Sequence, residues 1–142
     1  MRSIVKLLLS GLVFTAALSL GACVGKAVDS ADLLHHNFVL AEVNGQPFSG
    51  EKKPNIQFNE GMRVSGAICN NYTGQGELAG GKLYVRQLAS TKMLCFEQGL
   101  NELEFAFGNM LMNGAEISYR GNTLTLSGEG RVLKFELRDY VN

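Results

Sequence analysis

Three cysteines are the most reactive side chains in this 142-residue chain, and their surroundings separate them into two kinds. Cys23 ends the run Leu20-Gly21-Ala22-Cys23, behind a charged start with Arg2 and Lys6 and an apolar stretch from Leu7 to Leu20. That order is the layout of an export signal. The stretch is broken by Ser10, Gly11, Thr15 and Ser19, and it falls short of the roughly 20 apolar residues that a transmembrane helix needs. Small residues give a signal peptidase access to the backbone, and the cysteine sulfur can then take a diacylglycerol. Residues 1–22 are therefore expected to be a lipoprotein signal peptide and Cys23 the lipidation site. A thioether-linked diacylglycerol with an amide-linked acyl chain meets the requirement of two signals for stable anchoring. Val24 stands where an aspartate would favour retention in the inner membrane, so the expected location is the outer membrane, facing the periplasm.

Cys69 and Cys95 are the remaining pair. In an oxidising periplasm such a pair reads as a disulfide rather than a metal or redox site. Closing a loop of about 27 residues stabilises by roughly 3–4 kcal/mol in the chain-entropy treatment. A reactive Cys95 with a histidine partner is the competing reading, but no CxxC is present and both histidines are far away in sequence.

Other residue types offer little chemistry. His35 and His36 are adjacent, which on a strand sends their rings to opposite faces, whereas a metal needs three or four convergent ligands. Ser49-Gly50-Glu51-Lys52 matches S-x-x-K formally, without the companion elements of penicillin-recognising enzymes. No phosphate-cradling glycine motif occurs and the carboxylates are scattered. The expectation is no catalytic residue, no metal and no cofactor.

Beyond the signal, about 120 residues remain, enough for one core but hardly two. Without Arg2 and Lys6 there are 11 basic residues against 13 acidic ones, which leaves no electrostatic footprint for nucleic acid. Residues 23–32 read as lipidated cysteine plus small, polar tether, and 33–142 as one domain. Within it the apolar period is mostly two. Phe38 and Leu40 alternate up to the Asn44-Gly45 turn; Ile56 and Phe58 follow Pro54; Met62, Val64 and Ile68 follow with Gly66 among them. Leu83 and Val85 precede Leu88 on the opposite phase, Ile117 and Tyr119 face Leu124 and Leu126 across Gly121-Asn122, and Val132 to Leu137 closes the chain. Between Gln98 and Met112 the spacing turns helical, with Leu100, Leu103, Phe107, Met110 and Leu111 on one stripe and Asn113-Gly114 as the stop. The predicted class is α+β, mostly β: seven or eight short antiparallel strands in a sandwich or barrel, with one amphipathic helix across a mouth or open edge.

The stretch Gly66-Ala67-Ile68-Cys69-Asn70-Asn71-Tyr72-Thr73-Gly74 and the later Thr91-Lys92-Met93-Leu94-Cys95 resemble the two signature segments of the META/HslJ-like family. His35 to Leu40, Asn44-Gly45, Asn101-Glu102-Leu103 and Leu124-Thr125-Leu126 fall where that family places them, so the resemblance spans roughly residues 33–140. Phe38 departs from a common tryptophan and Ile68 from a common glycine. The resemblance implies a barrel-like α+β domain, an association with envelope stress and no established catalysis.

Asn70, Tyr72, Thr91 and Lys92 are the candidate binding surface, since the disulfide would bring their segments together. The amides of Cys69-Asn70-Asn71-Tyr72-Thr73-Gly74 could instead serve turn chemistry, with Gly74 at positive φ. Lys92 could meet an anion or pair with Glu102. Three functions follow: an envelope protein acting through its surface on other envelope proteins under stress, accessory or holdase-like; a carrier of a small hydrophobic ligand inside the barrel; or an enzyme, for which no candidate residues stand out.

Overall fold

Short alternating runs between glycine and asparagine turns can satisfy their backbone groups only by pairing with one another. A computed structural model describes residues 25–140; the expected signal segment and the expected lipidation site Cys23 lie outside the described residues. Helix α1 (Ser30–Leu33) opens the fold, held by a capping box in which Asp29 and Asp32 each accept from the other's end of the turn. Val28 packs on the core and Leu33 is fully buried, so the last residues of the expected tether belong to the domain.

Nine antiparallel strands follow: β1 (Asn37–Val43), β2 (Gln46–Pro47), β3 (Asn55–Asn59), β4 (Arg63–Ala67), β5 (Asn71–Ala79), β6 (Lys82–Ser90), β7 (Ala115–Arg120), β8 (Thr123–Gly128) and β9 (Arg131–Leu137). Helix α2 (Leu100–Asn113) lies between β6 and β7. Strand β1 pairs with β3 on one side and β9 on the other, which closes eight strands into a barrel. The ninth, β2, is a two-residue arm folded back on β1 across the Asn44-Gly45 turn, too short for any alternation to show.

One departure from expectation, at β5, and one expected irregularity, at Leu88, have physical causes. The segment from Asn71 to Ala79, read in part as turn chemistry, is a nine-residue strand, and Gly74 is not among the positive-φ residues. Its inward positions are Tyr72, Gly74, Gly76 and Leu78, so two glycines stand where alternation would show large side chains. They are there for closeness: a Cβ at Gly74 would run into the Val85 side chain and stand 3.0 Å from the Arg86 carbonyl. The phase flip from Val85 to Leu88 is a β-bulge. Gln87 adopts φ 52°, and the β5–β6 register shifts between Thr73 and Gln75.

The barrel is filled. Phe38, Leu40, Ile56, Phe58, Val64, Leu83, Val85, Leu124, Leu126, Leu133 and Phe135 are all essentially inaccessible. Strand β7 pairs with β6 only at Lys82 and Leu83, leaving a seam that α2 covers along β6. The helix buries Leu100, Leu103, Phe107, Met110 and Leu111, the stripe expected for it. The Phe107 ring lies 5.4 Å from Tyr72 and 6.2 Å from Phe135, so one side chain bridges strands on opposite sides of the barrel. A buried amide relay adds direction to the apolar packing. Asn37 donates to the Arg138 carbonyl (2.8 Å) and accepts from Asn55 (2.8 Å), whose own oxygen accepts from Ala67 N (2.9 Å).

The histidines precede β1 rather than lie within it. His35 is an exposed residue at φ 67°, and His36 Nδ1 meets Asp139 Oδ2 at 2.8 Å. Ser49 to Lys52 sit on the irregular loop between β2 and β3.

Candidate functional site

Cys69 and Cys95 are joined, with Cα atoms 5.9 Å apart, so the segment after β4 is stapled to the connection between β6 and α2. That connection, residues 91–99, has no regular structure of its own, and its backbone groups need partners from elsewhere.

Asn70 supplies most of them. The residue is 5% exposed, and its side chain uses both amide hydrogens and its oxygen. Nδ2 donates to the Met93 carbonyl (2.9 Å) and to Glu104 Oε2 on α2 (2.8 Å), while Oδ1 accepts from Met93 N (2.7 Å) and the Thr91 hydroxyl (3.0 Å). Its backbone N–H donates to Glu104 Oε1 at 2.6 Å. Asn70 therefore ties three pieces of chain together and keeps no free amide for a ligand. The Thr91 hydroxyl is likewise engaged, accepting from Asn71 N at 3.2 Å, while Thr91 N donates to the Asn71 carbonyl. At the far end of the loop Asn101 donates to the Cys95 carbonyl (2.9 Å) and accepts from Cys95 N (3.3 Å).

Tyr72 is 7% exposed and belongs to the core rather than the surface. Its Oη donates to the Asn55 carbonyl at 2.7 Å, and burial pushes the phenol well above its ordinary range. Gly66 is the reason it fits: a Cβ there would overlap the Asn55 carbonyl and stand 2.6 Å from Tyr72 Oη. Lys92 is exposed, and among the described residues it forms no ion pair with Glu102. Of the four residues expected on or near a functional surface, Asn70, Thr91 and Lys92 all line one groove, Asn70 and Thr91 with their polar groups engaged in the scaffold, and Tyr72 is buried in the core.

That groove is the main depression on this face, about 500 Å³, between the 91–99 loop and α2. Leu88, Met93, Leu94, Phe105 and Met112 supply its apolar lining, with Asn101, Glu104, Gly108 and Asn109 along the helix. Met93 is 73% exposed, Leu94 82%, Phe105 73% and Met112 52%, and Phe96 on the same loop is entirely exposed. Scattered single apolar side chains on a surface need no explanation, but five large ones on one loop and the facing helix do. The sequence carried the signal unread. Phe105 and Met112 are seven apart on α2, off the buried stripe, and Met93-Leu94-Cys95-Phe96 is an apolar run in a segment with no strand alternation.

The META domain model matches residues 31–140. The chain belongs to that family. Heat shock protein HslJ of Escherichia coli (strain K12) is 39% identical over 130 residues, covering 89% of this chain and 93% of that protein. An NMR structure 40% identical to this chain superposes with a TM-score of 0.73, over 81% of this chain and 99% of its own. The same barrel thus stands as a solved structure in a chain that 81% of this one covers almost completely. Two more distant structures share the fold alone: an NMR structure of a protein from Burkholderia xenovorans (22% identity, TM-score 0.60, 82% and 93% covered) and a crystal structure of a DUF4847 family protein from Bacteroides vulgatus (16%, 0.53, 79% and 99%). Among the described residues no helix is long and apolar enough to cross a membrane.

Proposed function

We propose that this META domain protein is a heat-shock-associated lipoprotein of the bacterial envelope that acts without catalysis, through its exposed apolar face, on other envelope proteins as an accessory or holdase-like factor. The observation that carries this reading is the group of exposed Met93, Leu94, Phe105 and Met112 around one groove, with Phe96 exposed on the same loop, on a domain whose interior is already full. A stably folded protein keeps such a surface when something covers it at intervals. The 39% identity to a heat shock protein supports the stress association. The rigid support under the loop, from the disulfide to the Asn70 network, presents the apolar residues instead of letting them collapse inward. The carrier reading has no comparable support, because the aromatic and aliphatic side chains of all eight barrel strands and α2 occupy the space a ligand would need.

Anchoring at Cys23 and placement on the outer membrane are part of the proposal. Cys23→Ser should move the protein from the membrane fraction to the soluble periplasmic fraction; continued acyl-dependent partitioning would overturn the anchor. For the surface, Leu94→Ser with Phe96→Ser should remove crosslinks to envelope proteins in heat-stressed cells and abolish suppression of aggregation of a denatured client in vitro. Crosslinking and suppression equal to the parent protein would refute the role of this face.

A further inference from the structure

Resting on that reading of the apolar face, we infer that the groove along α2 is a binding site for an extended, apolar polypeptide segment.

Helix α2 carries two stripes. The buried one is complete without the groove. The second runs Asn101, Glu104, Phe105, Gly108, Asn109 and Met112, at helical spacing, and every member lines the groove. Gly108 is the anomaly in it. A glycine in the middle of a helix is unfavourable relative to alanine, and glycine is normally kept where backbone must come close. Here the fold does not require it: a Cβ would meet only Leu88 Cδ2, at an ordinary 3.6 Å. The missing side chain is what leaves the groove floor open, so that a ligand backbone can lie against the helix between Phe105 and Met112.

The occupant's chemistry follows from the walls. From Asn101 to Met112 the helix rises about 16 Å, which matches roughly five residues of extended chain at about 3.3 Å each. Apolar side chains stand on both sides, Leu88, Met93 and Leu94 facing Phe105 and Met112. Asn109 lines the groove half-buried, and its amide forms no hydrogen bond with other described residues, leaving a donor and an acceptor of the kind a peptide group pairs with. Lys92 and Glu104 are the charged residues of the lining, and both Glu104 oxygens already accept from Asn70, so the walls select for apolar side chains rather than for charge.

Position in the fold favours a polypeptide over the anchoring bilayer. The chain enters the domain where Val28 lies beside Met62 and Leu78, near the end of β5, whereas the groove lies beyond its start at Asn71. Seven strand residues separate the two, roughly 23 Å. The groove therefore lies a strand's length from the point where the chain enters the domain, which suits a polypeptide in solution better than a bilayer beyond that point.

The test uses the oxidised domain from Gly25 onward and a fluorescein-labelled heptapeptide of alternating leucine and threonine with a lysine at each end. Saturable binding is expected by anisotropy, weakened at least tenfold by Gly108→Leu, which fills the floor, and changed less than twofold by 0.5 M salt. Gly108→Ala should retain the fold and melt no lower than the parent, showing that position 108 is not structurally obligatory. No saturation by 1 mM peptide, or equal affinity of Gly108→Leu, would overturn the site. So would cosedimentation with phosphatidylethanolamine–phosphatidylglycerol vesicles with no peptide binding, or a dimer in sedimentation velocity that Gly108→Leu dissolves. If peptide fails while Leu94 and Phe96 are still needed to suppress aggregation, the groove site falls and the broader reading stands; if both fail, both fall.

Discussion

The side chain of Asn70 should be worth more to this fold than any other polar group, and the structure allows the amount to be worked out. Beside a weak one to Cys69 Sγ at 3.5 Å, its hydrogen bonds comprise two to the Met93 main chain, one from the Thr91 hydroxyl and one to the Glu104 carboxylate. Neutral bonds contribute about 1 kcal/mol each and a bond to a charged group about 2, an upper total near 5 kcal/mol. Met93 and Thr91 are exposed enough for water to replace part of that, so Asn70→Ala should cost about 3 kcal/mol. For a domain of this size the melting midpoint falls by roughly 10–15 °C. Asn70→Asp gives the sharper signature, because it keeps the volume and both acceptor contacts. It replaces the donor with an oxygen facing Glu104 Oε2 and the Met93 carbonyl, at positions 2.8 and 2.9 Å apart in the parent. Two carboxylates so placed cannot both ionise cheaply, and the folded state holds a proton with a raised pKa. The folded variant thus binds more protons than its unfolded chain. Its deficit relative to the parent should be least below about pH 4 and grow as pH rises through the raised folded value. Thermal melts of the disulfide-intact domain at pH 4.5 and 7.5 should show the gap between variant and parent widening by about 2 kcal/mol at the higher pH. A gap that does not change with pH, or an Asn70→Ala protein melting within 3 °C of the parent by about the same scale, would refute the assigned network.

Three further outcomes follow from other contacts. Gly74→Ala should destabilise by about 1–3 kcal/mol through overpacking against Val85 and Arg86, whereas Gly108→Ala should stabilise by about 0.5–1 kcal/mol; matched chemical denaturation curves would show opposite shifts. Thiol titration of the oxidised domain should find no free thiol, and replacing Cys69 and Cys95 together by serine should cost about 3–4 kcal/mol for a cross-link spanning 26 residues; two titratable thiols in the parent would contradict the pairing. Asp139 is held below the usual carboxylate range, chiefly by the Asn37 backbone N–H and then by the His36 side chain. Its contribution is present above the unfolded carboxylate pKa near 4 and lost as pH falls through the lower folded value, so Asp139→Asn should flatten the acid limb of the stability curve; an unchanged limb would show that the His36–Asp139 clasp does not contribute.

Much of this protein was legible in one dimension because the signals are local. Period-two runs at Phe38–Leu40, Ile56–Phe58 and Leu124–Leu126 with their glycine turns implied antiparallel strands, and the Leu100-to-Leu111 stripe implied a helix ending at Gly114. The flipped phase at Leu88 already contained the bulge at Gln87, and two leftover cysteines already contained the staple. What failed to show depends on neighbours distant in sequence. Strand β5 hid because Gly74 and Gly76 answer to the crowding of Val85, Arg86, Met62 and Val64, none of which lies beside them in the chain. Asn70 and Tyr72 looked like surface because polar residues usually are, and only the packed domain, with its loop and helix over the barrel, supplies the Met93, Glu104 and Asn55 groups that let them be buried. The exposed apolar face was invisible for the converse reason. Met93, Leu94, Phe96, Phe105 and Met112 are written in the sequence as ordinary core residues, and only a core already filled by other side chains leaves them outside. Pattern and turn chemistry determine which elements form; exclusion of volume, a property of the whole packed domain, decides which hydrophobic residues are left over for a partner.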